Sequence, residues 1–519
     1  MEKPSRISLR NILTHAKLQL RSRQSLIVPL LAFFIPLLVR SVPEILSWPY
    51  PIGFDTIRYI PAIQEGWVLS LGMNGFLKDP NLFYVMAAFP YALTNDAVVV
   101  VKVLGPLLFG ASCFMMYLYA RKALDWSEWK SLLVAILAST YFVSLRNSWD
   151  FYRQTFGLIF LMATLISLKS HSSPRRYYIA SAFMVLTVLS HELLAVIMFF
   201  IIGTEAVRYL VKKARKDFLL LFASSSVSGF FFLFQRFSHQ ATLPVYSIAS
   251  EPSIGLYQYI IGLLLYMYIL ILPFVLIGLT RLKDSVMRFW VVLCMGILLL
   301  TMLLPNESLL YWNRWALLLV YPFLFFAVEG FGRLWRCWST SKRSLTRLAP
   351  KVLVIASLFS LLTLSGVYLT TTPENAFPLF SQYNPYLMHI PSSMLQTSIS
   401  INDSPSLVNC LQWLNENTSE TSVIVSHYAL YDWATIYVHN RQIVSTYEYG
   451  PILTQTQNVS TLAENMVDLA RNASENGHEV YTVWWINGEG WYQLSSLPSD
   501  FREVYVAGRM AVYSYVPQV

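Results

Sequence analysis

Apolar runs of about twenty residues recur through most of the first 370 positions, and they restrict the fold of this chain more than anything else in it. Twenty helical residues rise about 30 Å, the thickness of the hydrocarbon core of a bilayer. Eleven runs are read, at 25–41, 98–120, 131–147, 154–169, 176–191, 193–210, 217–235, 256–279, 287–304, 308–328 and 352–371. Lipid offers backbone polar groups no partners, so such runs must close their hydrogen bonds within helices. The composition agrees: 13% of residues are charged and 55% hydrophobic, where soluble domains carry roughly a quarter charged residues. A shorter run at 81–93, interrupted by Pro90, reads as a membrane-surface or re-entrant helix in the first loop, 42–97.

The net charge is +9, and its placement sets an orientation. Lys3, Arg6, Arg10, Lys17, Arg21 and Arg23 precede the first run with only Glu2 against them, which makes 1–24 a cytoplasmic basic N-terminus. Nothing downstream resembles a DNA- or RNA-reading module, so the basic arm is not read as nucleic-acid binding. Arg40, Pro43 and Glu44 stand where a signal peptide would carry small residues, so the first helix reads as retained. Further clusters alternate sides: Arg121, Lys122 and Lys130, then Lys169, Arg175 and Arg176. Next come Arg208, Lys212, Lys213, Arg215 and Lys216, then Arg281, Lys283 and Arg288. The last runs from Arg333 to Lys351. The carboxyl terminus is thereby expected outside. Asn306, Asn402, Asn417, Asn458 and Asn472 each open an Asn-x-Ser/Thr triplet, all on segments read as external.

Composition changes near position 372. Pro, Ser, Asn and Tyr dominate 372–400, read as an ordered linker or membrane-surface loop, and 401–519 reads as a soluble domain. Helices are expected at 408–415, 430–439 and 461–475. Strands are expected at 422–426, 442–445 and 479–486, with a hairpin over 503–516 around Gly508. The expected fold is a polytopic α-helical membrane protein of about eleven transmembrane helices with a small C-terminal extracellular α/β domain. Cys113, Cys294, Cys337 and Cys410 are scattered with no CxxC or Cys/His cluster, which excludes a structural zinc motif.

Charged residues at a membrane face require a reason, because burying one in lipid costs several kcal/mol. Asp55 and Arg58, spaced i,i+3 in Gly53-Phe54-Asp55-Thr56-Ile57-Arg58-Tyr59, are one set. They read either as a solvated ion pair or as a carboxylate facing a lipid-phosphate substrate with Arg58 near the phosphate. Asp150 and Arg153, in Asn147-Ser148-Trp149-Asp150-Phe151-Tyr152-Arg153-Gln154, repeat the spacing at the end of the third run. They are an interfacial cap in one reading. In the other, two acids on one face share a divalent ion or orient an acceptor while one takes its proton. His191-Glu192 interrupts an apolar run at the same level, and a lone histidine there is more often structural. Arg314 sits between tryptophans in Tyr311-Trp312-Asn313-Arg314-Trp315; it either snorkels to the interface or binds a lipid phosphate or pyrophosphate. Arg236 and His239 are weaker candidates of that kind. Ser426, His427 and Asp432 lack a GxSxG elbow, and Walker and Rossmann glycine patterns are absent.

Taken together, Gly53-Phe54-Asp55 with Tyr59, Trp149-Asp150 and Trp312-Asn313-Arg314-Trp315 resemble motifs of the C-type glycosyltransferase superfamily (GT-C). That group includes oligosaccharyltransferase catalytic subunits, protein O-mannosyltransferases and lipid A aminoarabinose transferases. The tail run from Leu411 to Asn417, with 423–426 and Asp432-Trp433, resembles soluble domains of archaeal members. The Trp-Trp-Asp-Tyr-Gly signature of oligosaccharyltransferases is missing, and one acid stands where O-mannosyltransferases show Asp-Glu. The resemblance implies transfer of a sugar from a polyprenyl (dolichyl) phosphate donor to a protein, lipid or glycan acceptor on the outer face of the cell membrane. It implies catalytic roles for Asp55 and Asp150, and substrate binding by Arg58, Tyr59, Arg153, Arg236 and Arg314. A Mg²⁺ or Mn²⁺ ion at Asp55, Asp150, His191 and Glu192 is the expected cofactor if one is used. Two rivals stay open at this level: a lipid-linked glycan polymerase or ligase, and a non-enzymatic transporter or surface-assembly component that retains the fold.

Overall fold

The computed structural model describes residues 9–66, 77–79, 81–170, 174–238, 245–246, 251–309, 312–339, 344–381, 384–445, 459–488 and 497–517. The chain opens with α1 (Leu9–Leu46), α2 (Phe54–Gln64), α3 (Leu82–Thr94) and α4 (Ala97–Lys122). Next come α5 (Glu128–Ser139), α6 (Phe142–Asp150), α7 (Tyr152–Ser170), α8 (Arg175–Ser190), α9 (Glu192–Val211) and α10 (Arg215–Ser238). The bundle closes with α11 (Ile254–Tyr268), α12 (Leu272–Arg281), α13 (Ser285–Leu303), α14 (Trp312–Leu318), α15 (Val320–Ser339) and α16 (Ser344–Thr370). A short antiparallel pair, β1 (Val245–Tyr246) with β2 (Ser308–Leu309), joins two of its loops.

Among the described residues each of the eleven apolar runs falls mainly on helix, but not each helix meets the length and apolarity that a membrane span demands. Among the described residues seven helices do, or up to nine if each bent pair counts as one span. The difference from eleven lies in α7 and α8. The first turn of α7 carries Arg153, Gln154 and Thr155, and α8 has only 16 residues. The bent pairs are α5–α6, turned by 65°, and α11–α12, turned by 84°. Large apolar side chains such as Leu26, Phe34, Phe222, Phe230, Phe237 and Phe359 face outward from the bundle. A lipid phase covers such a surface; water does not.

The last part of the chain holds α17 (Ser404–Asn417), β3 (Val423–Ser426), α18 (Tyr428–Tyr437), β4 (Gln442–Ser445), α19 (Val459–Glu475), β5 (Val480–Trp485), β6 (Phe501–Ala507) and β7 (Met510–Tyr515). The five strands β3–β7 form one sheet in the order β4-β3-β5-β7-β6. β4, β3 and β5 run parallel, while β7 and β6 pair antiparallel. This unit does not hang from a free tether. One apolar cluster runs from Ile57, Tyr59, Phe83 and Val100 into Leu407, Leu411, Trp433 and Trp484, so α2–α4 and the sheet unit share a core. The 372–400 segment, expected as a linker, is packed as well, with Ile390, Met394 and Ile399 buried.

Candidate active site

Helix α2 begins at Gly53, whose φ of 102° lies in the left-handed region that glycine alone enters without strain. The first N–H groups of a helix have no intrahelical acceptor, and α2 has no side-chain cap of its own. The acceptor comes from a distant segment: the Asp55 N–H donates to Asp150 Oδ1. Asp150 ends α6, so the carboxylate of one loop caps the helix of another, an arrangement worth about 0.5–2 kcal/mol where measured. Thr56 Oγ1 donates to the Trp149 carbonyl at 3.1 Å, and Tyr59 OH to the Asp150 carbonyl at 3.3 Å. The Trp149 indole N–H donates to Met394 O at 2.9 Å, and Gly53 N–H to Gln396 O at 2.9 Å. The 372–400 segment thus straps both loops together.

The side chain of Asp55 remains outside this knot, about a quarter exposed, with Oδ2 at 3.1 Å from Arg314 Nη2. Arg314 comes from the first turn of α14 and lies over the Phe151 ring at 4.3 Å. Arg146 covers the same ring at 4.5 Å and pairs with Asp150 Oδ2 at 3.2 Å. Two guanidinium groups therefore enclose Phe151, one serving each acid. Both oxygens of Asp150 are engaged by protein. Arg146 Nε also donates to His389 O at 2.9 Å. Burial, and then the Arg146 charge, push the His389 imidazole down to about 4, so it stands neutral beside that cation.

The other sequence candidates separate into those near Asp55 and those elsewhere. Arg153 and Glu192 face each other at 3.9 Å across the starts of α7 and α9, each about a quarter exposed. Tyr59 is buried and stacked on Tyr152 with ring centroids 5.6 Å apart. Burial first, then the charge of Asp55, raises its phenol well above the usual 10. It is a wall of the site whose hydroxyl is already committed. Arg58 turns away from Asp55 and pairs through Nε with Asp432 Oδ2 of α18 at 3.2 Å. Arg236 stays over Phe232 of its own helix at 5.3 Å and joins none of the contacts around Asp55 among the described residues. His239 lies outside the described residues.

The four residues expected for a cation are held apart by their own contacts in this structure. Among the described residues no three His, Cys, Asp or Glu side chains gather to hold a metal ion. Asp150 is saturated by Arg146 and the Asp55 N–H. His191 turns its Nδ1 to the Leu193 N–H at 3.2 Å, capping α9 in place of coordinating. Asp55, Asp150, His191 and Glu192 do not fit a shared ion in this arrangement. Sequence reasoning missed Arg146, although its i,i+4 spacing to Asp150 was there to find. It also missed His389 and the strap, for which no local signal exists.

No family model and no curated protein matches the sequence. By fold, the chain is similar to the arabinofuranosyltransferase AftD from Mycobacteria, solved by single-particle cryo-EM, with a TM-score of 0.52 at 12% sequence identity. The match covers 94% of this chain and 40% of AftD, so the chain spans less than half the length of that protein. At this identity the likeness is one of fold. It carries the fold over 94% of this chain, while AftD is mycobacterial and lends nothing to the archaeal leaning of the tail motifs.

Proposed function

We propose that this chain is a membrane glycosyltransferase that moves a sugar from a polyprenyl-phosphate donor to an acceptor hydroxyl on the outer face of the membrane. The observation that carries the reading is the reachable Asp55–Arg314 pair. A carboxylate and a guanidinium lie 3.1 Å apart at the end of an apolar bundle, each partly open to solvent. Phosphate-linked sugars leave with charge building on the phosphate oxygen, and a fixed cation at that point lowers the barrier. In this reading the acceptor oxygen forms a bond to the anomeric carbon as the bond to the lipid phosphate breaks, with inversion. Asp55 takes the acceptor proton, and Arg314, with Arg153 beyond it, receives the departing phosphate. Asp150 acts through Asp55: it holds the first turn of α2 and leaves the Asp55 side chain to face Arg314. The fold likeness to an arabinofuranosyltransferase and the outward apolar faces support a lipid-borne donor.

The test is sugar release from labelled polyprenyl-phosphate monosaccharides by the purified chain, with Asp55→Asn and Arg314→Ala beside the wild type. Turnover by the wild type that disappears in Asp55→Asn supports the assignment. Full turnover in Asp55→Asn removes Asp55 from the catalytic role, and no turnover with any donor tested sinks the phosphate-donor reading.

A further inference from the structure

Beside the site, Arg40, Glu44 and Lys102 are buried together, their side chains 0%, 6% and 3% exposed. Glu44 sits between the two cations, with Oε1 2.9 Å from Arg40 Nη1 and Oε2 3.1 Å from Lys102 Nζ. Two positive groups thus share one carboxylate, and each sends its remaining donors to a different part of the site. Lys102 Nζ donates to Ser47 Oγ and to the Tyr50 carbonyl, both at 2.7 Å. Tyr50 is five residues before Asp55, on the loop that leads into α2. Arg40 Nη2 donates to Tyr152 OH at 3.3 Å, and its Nε reaches the Ser148 carbonyl at 3.4 Å. Ser148 and Tyr152 flank Asp150, and Tyr152 is the ring on which Tyr59 stacks.

A buried charge shared by three groups is a poor way to gain stability, since hydrophobic replacements are often neutral or better. It is a good way to fix geometry, because Lys102 Nζ and the Nη2 and Nε of Arg40 each donate to a named acceptor in one of the two loops. We propose that Arg40, Glu44 and Lys102 are positioning residues. The C-terminal half of α1 and the second turn of α4 add, through this cluster, a second brace on the separation of the two acid-bearing loops, beside the 372–400 strap. Glu44 is the link, since it joins the cation that holds the Asp55 loop to the cation that holds the Asp150 loop. The inference rests on reading Asp55 and Asp150 as a working pair, and it predicts a coupling in addition to the direct contacts that Asp55, Thr56 and Tyr59 make with 149–150.

Backbone hydrogen exchange of the full chain in lipid nanodiscs reads this without any substrate. In Glu44→Gln, exchange should rise about tenfold in peptides covering 50–60 and 147–153 together, with β3 and β5 unchanged, and Glu44→Asp should recover much of the protection. A rise at one loop only, at neither, or equally in β3 and β5 overturns the proposal in favour of a local or a general stabilising role. Should Glu44→Gln fail to fold, Lys102→Met removes the surplus cation and one tether; exchange must then rise over 50–60 and stay low over 147–153. Donor turnover measured in parallel should show kcat reduced about tenfold with KM unchanged. A wild type that turns over no donor defeats the reaction reading, whereas the exchange result stands or falls by itself.

Discussion

Helix α7 carries a cation near each end, Arg153 and Lys169, sixteen residues and about 24 Å apart, and the two meet their acids in different ways. At the far end Lys169 pairs with Asp284, which is 2% exposed, also accepts the Tyr119 hydroxyl at 2.9 Å, and caps α13 through the Met287 N–H at 3.1 Å. Nearby, Lys130 joins α5 to Glu329 of α15 and lies over the Trp126 ring. These acids are surrounded. At the site end Arg153 and Glu192 stand 3.9 Å apart with both partly open, and Asp55 gives one oxygen to Arg314. At the far end the acids are enclosed while their lysines stay partly open. Charge that can meet a ligand is left partly unspent and within reach of water.

Breaking that contrast should give a graded series. The largest effect is on turnover: Asp55→Asn removes a general base, worth about 10²–10⁴-fold in rate, with the thermal midpoint unchanged in a tryptophan-fluorescence melt. Next, Asp284→Ala leaves Lys169 and the α13 N-terminus without their acceptor. A loss of about 3–5 kcal/mol is expected in reversible unfolding, with the donor affinity of whatever protein remains folded untouched. An Asp284→Ala protein of wild-type stability would erase the distinction between the two ends.

The sheet unit sharpens it further. His427 is fully buried and caps α18 by accepting the Ala429 N–H on Nδ1, which requires a neutral ring. Burial lowers its pKa from 6.5 to about 3. A base whose folded value is depressed contributes its stability above the unfolded value and loses it as pH falls. Stability should therefore decline by about 1.4 kcal/mol per pH unit between 6.5 and 3, and His427→Gln should flatten that slope in a pH series of melts. The smallest effect belongs to Arg58→Ala. Its pair with Asp432 is half open, so about 0–1 kcal/mol is expected, measured best as a double-mutant cycle with Asp432→Asn. A coupling well above that range would place Arg58 among the saturated charges.

The helices of the bundle were legible because apolar runs of span length admit little else, and Gln442–Ser445 was legible as a strand down to its ends. The pairings were not. Asp55 and Arg58 share a helix at i,i+3, yet each bonds a residue more than 250 positions away. Local pairs of that spacing yield only about 0.2–0.5 kcal/mol, so tertiary partners win easily. Asp150 and Arg153 fail for another reason. The helix breaks at Phe151, with φ −98° and ψ 65°, so the periodicity linking them does not exist. Arg146 is then the i,i+4 partner within α6, one turn on the other side of Asp150.

Gly53 has one more consequence. A methyl group on its Cα would come within 2.7 Å of the Trp149 carbonyl oxygen as well as against Thr56, on a backbone that other residues rarely adopt. The distance between the two acid-bearing loops is therefore set by a missing atom, and drift at this position is barred twice over, by conformation and by volume. Asp55→Asn is expected to leave the fold intact. Gly53 cannot change without moving the address at which Asp55 is delivered.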